Sequence, residues 1–185
     1  MKQETALKLL KAGENVFLTG SAGAGKTYTL NQYINYLKAR KVPVAITAST
    51  GIAATHMNGM TIHTWAGIGI KDFLSDADLK NMKERKYLKE HLENAQVLII
   101  DEISMLHAKQ LNLVNQVLKY FKESDDAFGG IQVIVAGDFF QLPPVGKNDE
   151  RNRDKFCFMS DAWVEAKFRV CYLTEQHRQG NDYLN

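Results

Sequence analysis

The sequence predicts an α/β domain with a central parallel β-sheet flanked by helices. Two observations carry the prediction. Five short apolar runs, at 15–20, 42–47, 95–100, 131–137 and 168–174, have the composition of strands. Helical stretches separate several of them, and strands alternating with helices build parallel sheets through right-handed crossovers. Length agrees, since 185 residues, 45% of them hydrophobic, suit a single compact domain spanning 1–185.

Each element has its own signal. "NVFLTG" (15–20) is β-rich and ends in glycine. "TYTLNQYINYLKAR" (27–40) then spaces Leu30, Tyr33, Ile34 and Leu37 along one helical face. "VPVAIT" (42–47) is a second strand, and "AQVLII" (95–100) a third, apolar throughout as in a strand covered on both faces. "LNLVNQVLKYF" (111–121) has helical periodicity, "IQVIVAG" (131–137) is a fourth buried strand and "FRVCYLT" (168–174) a fifth. The charged stretch 71–94 is expected to be an exposed helical excursion with a solvated face.

Composition excludes several classes. No apolar run approaches the ~20 residues of a membrane span, and the start "MKQETALKLL" lacks the apolar stretch of a secretory signal. Cys157 and Cys171 are too few for a disulfide framework, and no His/Cys cluster suggests zinc. Two buried thiols in a reducing cytosol are expected. Residues 1–70 hold seven Lys and Arg against two Glu, an excess of five, while the whole chain carries +2, leaving −3 on the remainder. That asymmetry is compatible with a polyanion lying on one part of the surface.

"GSAGAGKT" (20–27) fits G-x-x-x-x-G-K-[ST] between an apolar strand and an amphipathic helix, the context this loop requires. In Gly20, Ser21, Ala22, Gly23, Ala24 and Gly25, the glycines let backbone N–H groups turn inward around phosphate oxygens. Lys26 would reach the β- and γ-phosphates of ATP, and the Thr27 hydroxyl would ligate Mg²⁺. A glycine-rich turn without a ligand is the bland alternative, and a second acidic site weighs against it. "VLIIDEIS" (97–104) ends a strand in Asp101, placed to hold Mg²⁺, and Glu102, placed to orient or deprotonate an attacking water.

"GDFFQLPPV" (137–145) follows the fourth buried strand, whose carboxyl end lies on the ligand side of such a sheet. Gln141 would contact the γ-phosphate and the attacking water without adding charge. Pro143 and Pro144 would hold the next segment extended, as a unit that moves when the γ-phosphate leaves. Phe139 and Phe140 are expected in core or hinge packing rather than as DNA contacts.

With these residues assembled, the sequence resembles the PIF-family DNA helicases, in the RecD-like branch of helicase superfamily one. The resemblance runs from about Gln3 to Gln179. Gln3 looks like the adenine-contacting glutamine ahead of motif I, "TASTGIAA" (47–54) like motif Ia, and "TIHTWAGIGI" (61–70) like the segment after it. "DEISM" (101–105) is similar to motif II, "GDFFQLPPV" to motif III, and "LTEQHRQ" (173–179) to motif IV, whose arginine maps to Arg178.

The resemblance implies a RecA-like P-loop NTPase domain. It further implies an ATP-driven motor that moves 5′ to 3′ on single-stranded DNA, with roles in DNA repair, recombination and telomere maintenance. By position, Thr50 and Gly51 would touch the DNA backbone, with His63 and Thr64 doing the same. Trp65 would offer a stacking face, worth ~1–3 kcal/mol per base, or serve as a core aromatic; His63 has a structural alternative too. Arg178 would stabilise transition-state charge, a role worth ~10³–10⁵ in rate.

The family's second motor domain is not recognisable before Asn185. The expectation is therefore a monomer that binds ATP or ADP, turns over slowly or undetectably and does not unwind alone. A bacterial cytoplasm, at the nucleoid, is the expected location. Two other readings compete. A P-loop kinase or metabolic NTPase gives "TASTGIAA" and "FQLPPV" no purpose, and a non-catalytic ATP-switched nucleic-acid-binding module needs neither Glu102 nor Gln141.

Overall fold

Four consecutive residues of one strand, Val97 to Ile100, are almost wholly shielded from solvent, which places that strand in the middle of a two-sided core. The computed structural model describes residues 1–140 and 152–174. Six strands, β1 (Val16–Gly20), β2 (Val44–Ala48), β3 (Met60–Thr61), β4 (Val97–Asp101), β5 (Gln132–Ala136) and β6 (Arg169–Leu173), form one sheet in the order β3-β2-β4-β5-β1-β6. Every pairing is parallel. The strand bearing Asp101 thus lies beyond the 132–136 strand as seen from β1.

Alternation along the strands assigns side chains to two cores, because successive residues point to opposite faces. Val97 and Ile99 join Val16, Leu18, Ile134 and Ala136 beneath α1 (Gln3–Lys11) and α2 (Lys26–Ala39). The buried stripe of α2 contains the predicted Leu30, Tyr33, Ile34 and Leu37. Leu98 and Ile100 face the other way, with Phe17, Val133 and Val135. Covering that side are α4 (Ile62–Trp65), α5 (Asp76–Lys83), α6 (Lys86–Asn94), α7 (Ala108–Lys122) and α9 (Asp161–Ala166). Two shorter helices, α3 (Gly51–His56) and α8 (Asn152–Lys155), follow β2 and precede α9.

The five predicted strands and both predicted core helices are present with ends shifted by at most three residues. Two features differ from the sequence reading. β3 is only two residues long and has no apolar run to announce it. The 71–94 excursion is helical but does not sit on the surface as a solvated face. Leu79 and Met82 of α5 and Leu88 and Leu92 of α6 are buried in the larger core. Charges outnumber these residues in the sequence, yet their spacing of three or four puts each pair on one side of its helix. Cys157 and Cys171 are buried free thiols. Among the described residues, no helix is long and apolar enough to cross a membrane.

Candidate active site

β1 ends at Gly20, and the chain turns through a loop that only glycines allow. Gly23 and Gly25 have φ of 82° and 87°, the left-handed region that L side chains disfavour. A Cβ on Gly25 would also lie 1.9 Å from Nε2 of Gln3. Gln3 is 6% exposed and donates this amide to the Ala24 carbonyl at 3.3 Å, so α1 buttresses the loop directly. No side chain caps α2, so its first-turn N–H groups and the helix dipole face whatever occupies the loop.

Lys26 opens α2 and curls over the loop, donating from Nζ to the Gly20 carbonyl at 2.5 Å and to Ser21 at 3.5 Å. Thr27 is exposed beside it. The loop, the helix start, the lysine and the hydroxyl therefore stand together, with their charge complementary to a polyphosphate.

Asp101 closes β4, two strands from β1 on the same sheet edge. Its Oδ1 accepts the Glu102 N–H at 2.8 Å. Glu102 has φ 54° and ψ 44°, a left-handed conformation rare for this residue type. It swings the chain from the strand into a short 3-10 turn at Ile103–Met105. Ser49, just past β2, stabilises this corner. Its N–H donates to the Asp101 carbonyl at 3.1 Å, and its hydroxyl donates to the Glu102 carbonyl at 2.6 Å.

Burial raises the pKa of Asp101 above the ordinary carboxylate value, outweighing the Glu102 N–H and the positive fields of Lys26 and His56. Burial, then the Asp101 charge, raises that of Glu102, with Lys26 opposing. Two carboxyls in tension beside a lysine fit a divalent cation. Magnesium commonly takes only one or two protein ligands in addition to substrate phosphates, and Thr27 and Asp101 could hold it there.

At the end of β5, Gly137 packs so closely on the 3-10 turn that a Cβ there would lie 3.1 Å from the Ile103 nitrogen. Asp138 Oδ1 accepts the Phe140 N–H at 2.9 Å. Phe139 sits in an aromatic cluster, with ring centroids 5.4 Å from Phe17, 4.9 Å from Phe158 and 5.8 Å from Trp163. That matches packing rather than DNA contact. Phe140 differs from the sequence reading, being 98% exposed. Gln141, Pro143, Pro144 and Arg178 lie outside the described residues.

The remaining sequence candidates cluster near the ends of β2 and β3. Thr50 caps α3, its Oγ1 accepting the Ala53 N–H at 3.2 Å, and Gly51 is exposed next to it. Thr64 is exposed and accepts a hydrogen bond from the Thr61 hydroxyl at 2.9 Å, while His63 is half-buried. Trp65 is a correction. It is 4% exposed and belongs to the larger core, so its ring has no face free for a base, and it supports the turn from beneath. Sequence reasoning also missed Ser49 and His56. The only signal was a small hydroxyl at a strand end beside an acidic strand.

The profile of the family described as PIF1-like helicase matches residues 2–185. The chain belongs to the PIF1-like helicase family. It is 72% identical over 179 residues to the ATP-dependent DNA helicase Pif1 of Psychrobacter, covering 97% of this chain and 27% of that relative. A crystal structure of Pif1 helicase from Candida albicans superposes with a TM-score of 0.87 at 40% identity, over 96% of this chain and 40% of that one. A Bacteroides Pif1 in complex with ADP-AlF3 and single-stranded DNA superposes at 0.81 and 35% identity, over 96% and 42%. The chain thus spans about a quarter of the Psychrobacter relative and two fifths of the solved PIF1-like chains.

Proposed function

We propose that this chain is the ATP-binding motor domain of an ATP-dependent 5′-to-3′ DNA helicase that acts on single-stranded DNA as a monomer. One observation carries the reading: the Lys26 loop, the Asp101–Glu102 corner and the Thr50 and Thr64 turns all follow strands of one parallel sheet and gather at its carboxyl edge. That edge is where open α/β sheets bind ligands.

ATP is the substrate. Loop N–H groups and Lys26 hold its phosphates, and Gln3 supports the loop at the adenine end. Thr27 and Asp101 would hold Mg²⁺, which would neutralise charge on the phosphates. Glu102 takes the proton of a water whose oxygen bonds to the γ-phosphorus as the β–γ bridging P–O bond breaks. Its raised proton affinity makes it a stronger base than an exposed glutamate. Gln141 and Arg178 are assigned by sequence position to the γ-phosphate. Thr50, Gly51, His63 and Thr64 form the single-stranded DNA face, with Trp65 beneath it.

The solved PIF1-like chains are more than twice as long as their matched region. Where a further domain closes over a bound nucleotide, closure excludes water and completes the catalytic set, so residues 1–185 by themselves are expected to turn over slowly and not to unwind. The test is steady-state ATP hydrolysis with and without a thymine oligonucleotide, in wild type and Glu102→Gln. Slow turnover lost in Glu102→Gln supports the reading; turnover that survives the substitution refutes it.

A further inference from the structure

The turn that carries His63 and Thr64 is fastened from behind by α6. His91, in the last turn of that helix, places Nε2 2.5 Å from the Trp65 carbonyl. A carbonyl only accepts, so Nε2 carries the proton and donates. The imidazole also packs on two rings, with centroids 5.6 Å from Trp65 and 4.9 Å from Tyr87. Its other nitrogen, Nδ1, is buried and has no hydrogen-bond partner among the described residues. Leaving a buried nitrogen unpaired is costly, and this ring tolerates that cost while serving the Trp65 carbonyl. That carbonyl ends the four-residue α4, where helix carbonyls lack intrahelical donors.

A second contact fixes the same turn. Gly67 has φ +71°, and a Cβ there would lie 2.7 Å from Cδ2 of Leu88 and 3.2 Å from Cε of Met82. The exit of the turn therefore presses on α5 and α6 with no room for a side chain. α6 in turn packs on α7, the helix that follows the Asp101–Glu102 corner.

We propose that His91 is a positioning residue for DNA binding: its Nε2–H holds the Trp65 carbonyl and so fixes the direction in which His63 and Thr64 face the strand. This rests on the assignment of that turn to single-stranded DNA. His91→Phe keeps a ring against Trp65 and Tyr87 but removes the donor, whereas His91→Gln keeps a donor. Hydrogen exchange at the Ala66, Gly67 and Ile68 amides, which bond back to Ile62, Thr64 and His63, reads the turn itself. Titration with a fluorescent thymine oligonucleotide reads DNA binding.

In His91→Phe, exchange at those amides should quicken about tenfold and oligonucleotide affinity fall about tenfold, as expected for one lost buried hydrogen bond. ATP affinity should not change, and His91→Gln should restore both readouts. Unchanged exchange in His91→Phe overturns the clamp whatever happens with DNA. Faster exchange with unchanged oligonucleotide affinity overturns its role in binding. Failure of the wild type to bind the oligonucleotide overturns the DNA assignment itself, while the exchange arm still decides whether the clamp exists.

Discussion

Glu102 combines a left-handed backbone with a carboxyl whose proton affinity is raised by burial and by the neighbouring Asp101 charge. Both features cost stability in the nucleotide-free chain. A carboxyl with a raised folded pKa binds more protons folded than unfolded between its ordinary and raised values. Stability therefore falls as pH climbs through that window, which for Asp101 and Glu102 opens just above the ordinary carboxylate range. Asp101→Asn keeps the acceptor for the Glu102 N–H and removes the buried charge. It should raise the melting midpoint of the nucleotide-free chain at neutral pH by about 2 °C and flatten its decline with pH, a scale typical of relieving a functional-site penalty. Thermal scans from pH 4 to 8 check this, and an unchanged profile would mean that Asp101 is not desolvated. Glu102→Gln should retain ATP binding while lowering turnover at least ~10²-fold, the usual contribution of a general base. Single-turnover hydrolysis measures that loss.

Among the elements, those with a strong period were legible in the sequence and those without were not. The Lys26 loop could be read because its glycines are dictated by local geometry, with φ near 85° at Gly23 and Gly25. The strand from 97 to 101 could be read because burial on both faces leaves no polar interruption. β3 is two residues long and defined by its partner, β2, so no local pattern marks it. The 71–94 stretch misleads for another reason: four buried apolar residues are diluted among charges. Leu92, fully buried on α6, tests this. Leu92→Ala should cost about 3 kcal/mol in denaturant unfolding, as for a core leucine, whereas a solvated helix would lose less than about 0.5 kcal/mol. Gly25→Ala would force a side chain into left-handed backbone and against Gln3. Strain of this kind costs ~1–3 kcal/mol; nucleotide affinity should fall at least tenfold, as read by equilibrium titration.

At the scale of the molecule, the sheet separates two cores and gathers the candidate site residues along one edge. Residues far apart in sequence arrive there because the strand order places β4 between β2 and β5, so that Ser49 reaches both carbonyls of the Asp101–Glu102 corner. Sequence singled out the Lys26 loop and the acidic corner through their spacing and their place after apolar strands. It did not reveal whether Trp65 faces solvent, because an aromatic after "TIHT" satisfies a core and a stacking surface equally well. The tertiary contact with His91 decides it. Nor could Ser49 or His56 be singled out, since their significance comes only from the neighbouring strand.

On the proposed function, Lys26 and Glu102 divide binding from chemistry at one site. Equilibrium titration of the chain with a fluorescent ATP analogue and Mg²⁺, in wild type, Lys26→Ala and Glu102→Gln, tests it most directly. Saturable binding is expected for wild type and Glu102→Gln, with affinity reduced at least tenfold in Lys26→Ala, on the scale of a lost charge-assisted phosphate contact. Undiminished binding by Lys26→Ala would contradict it.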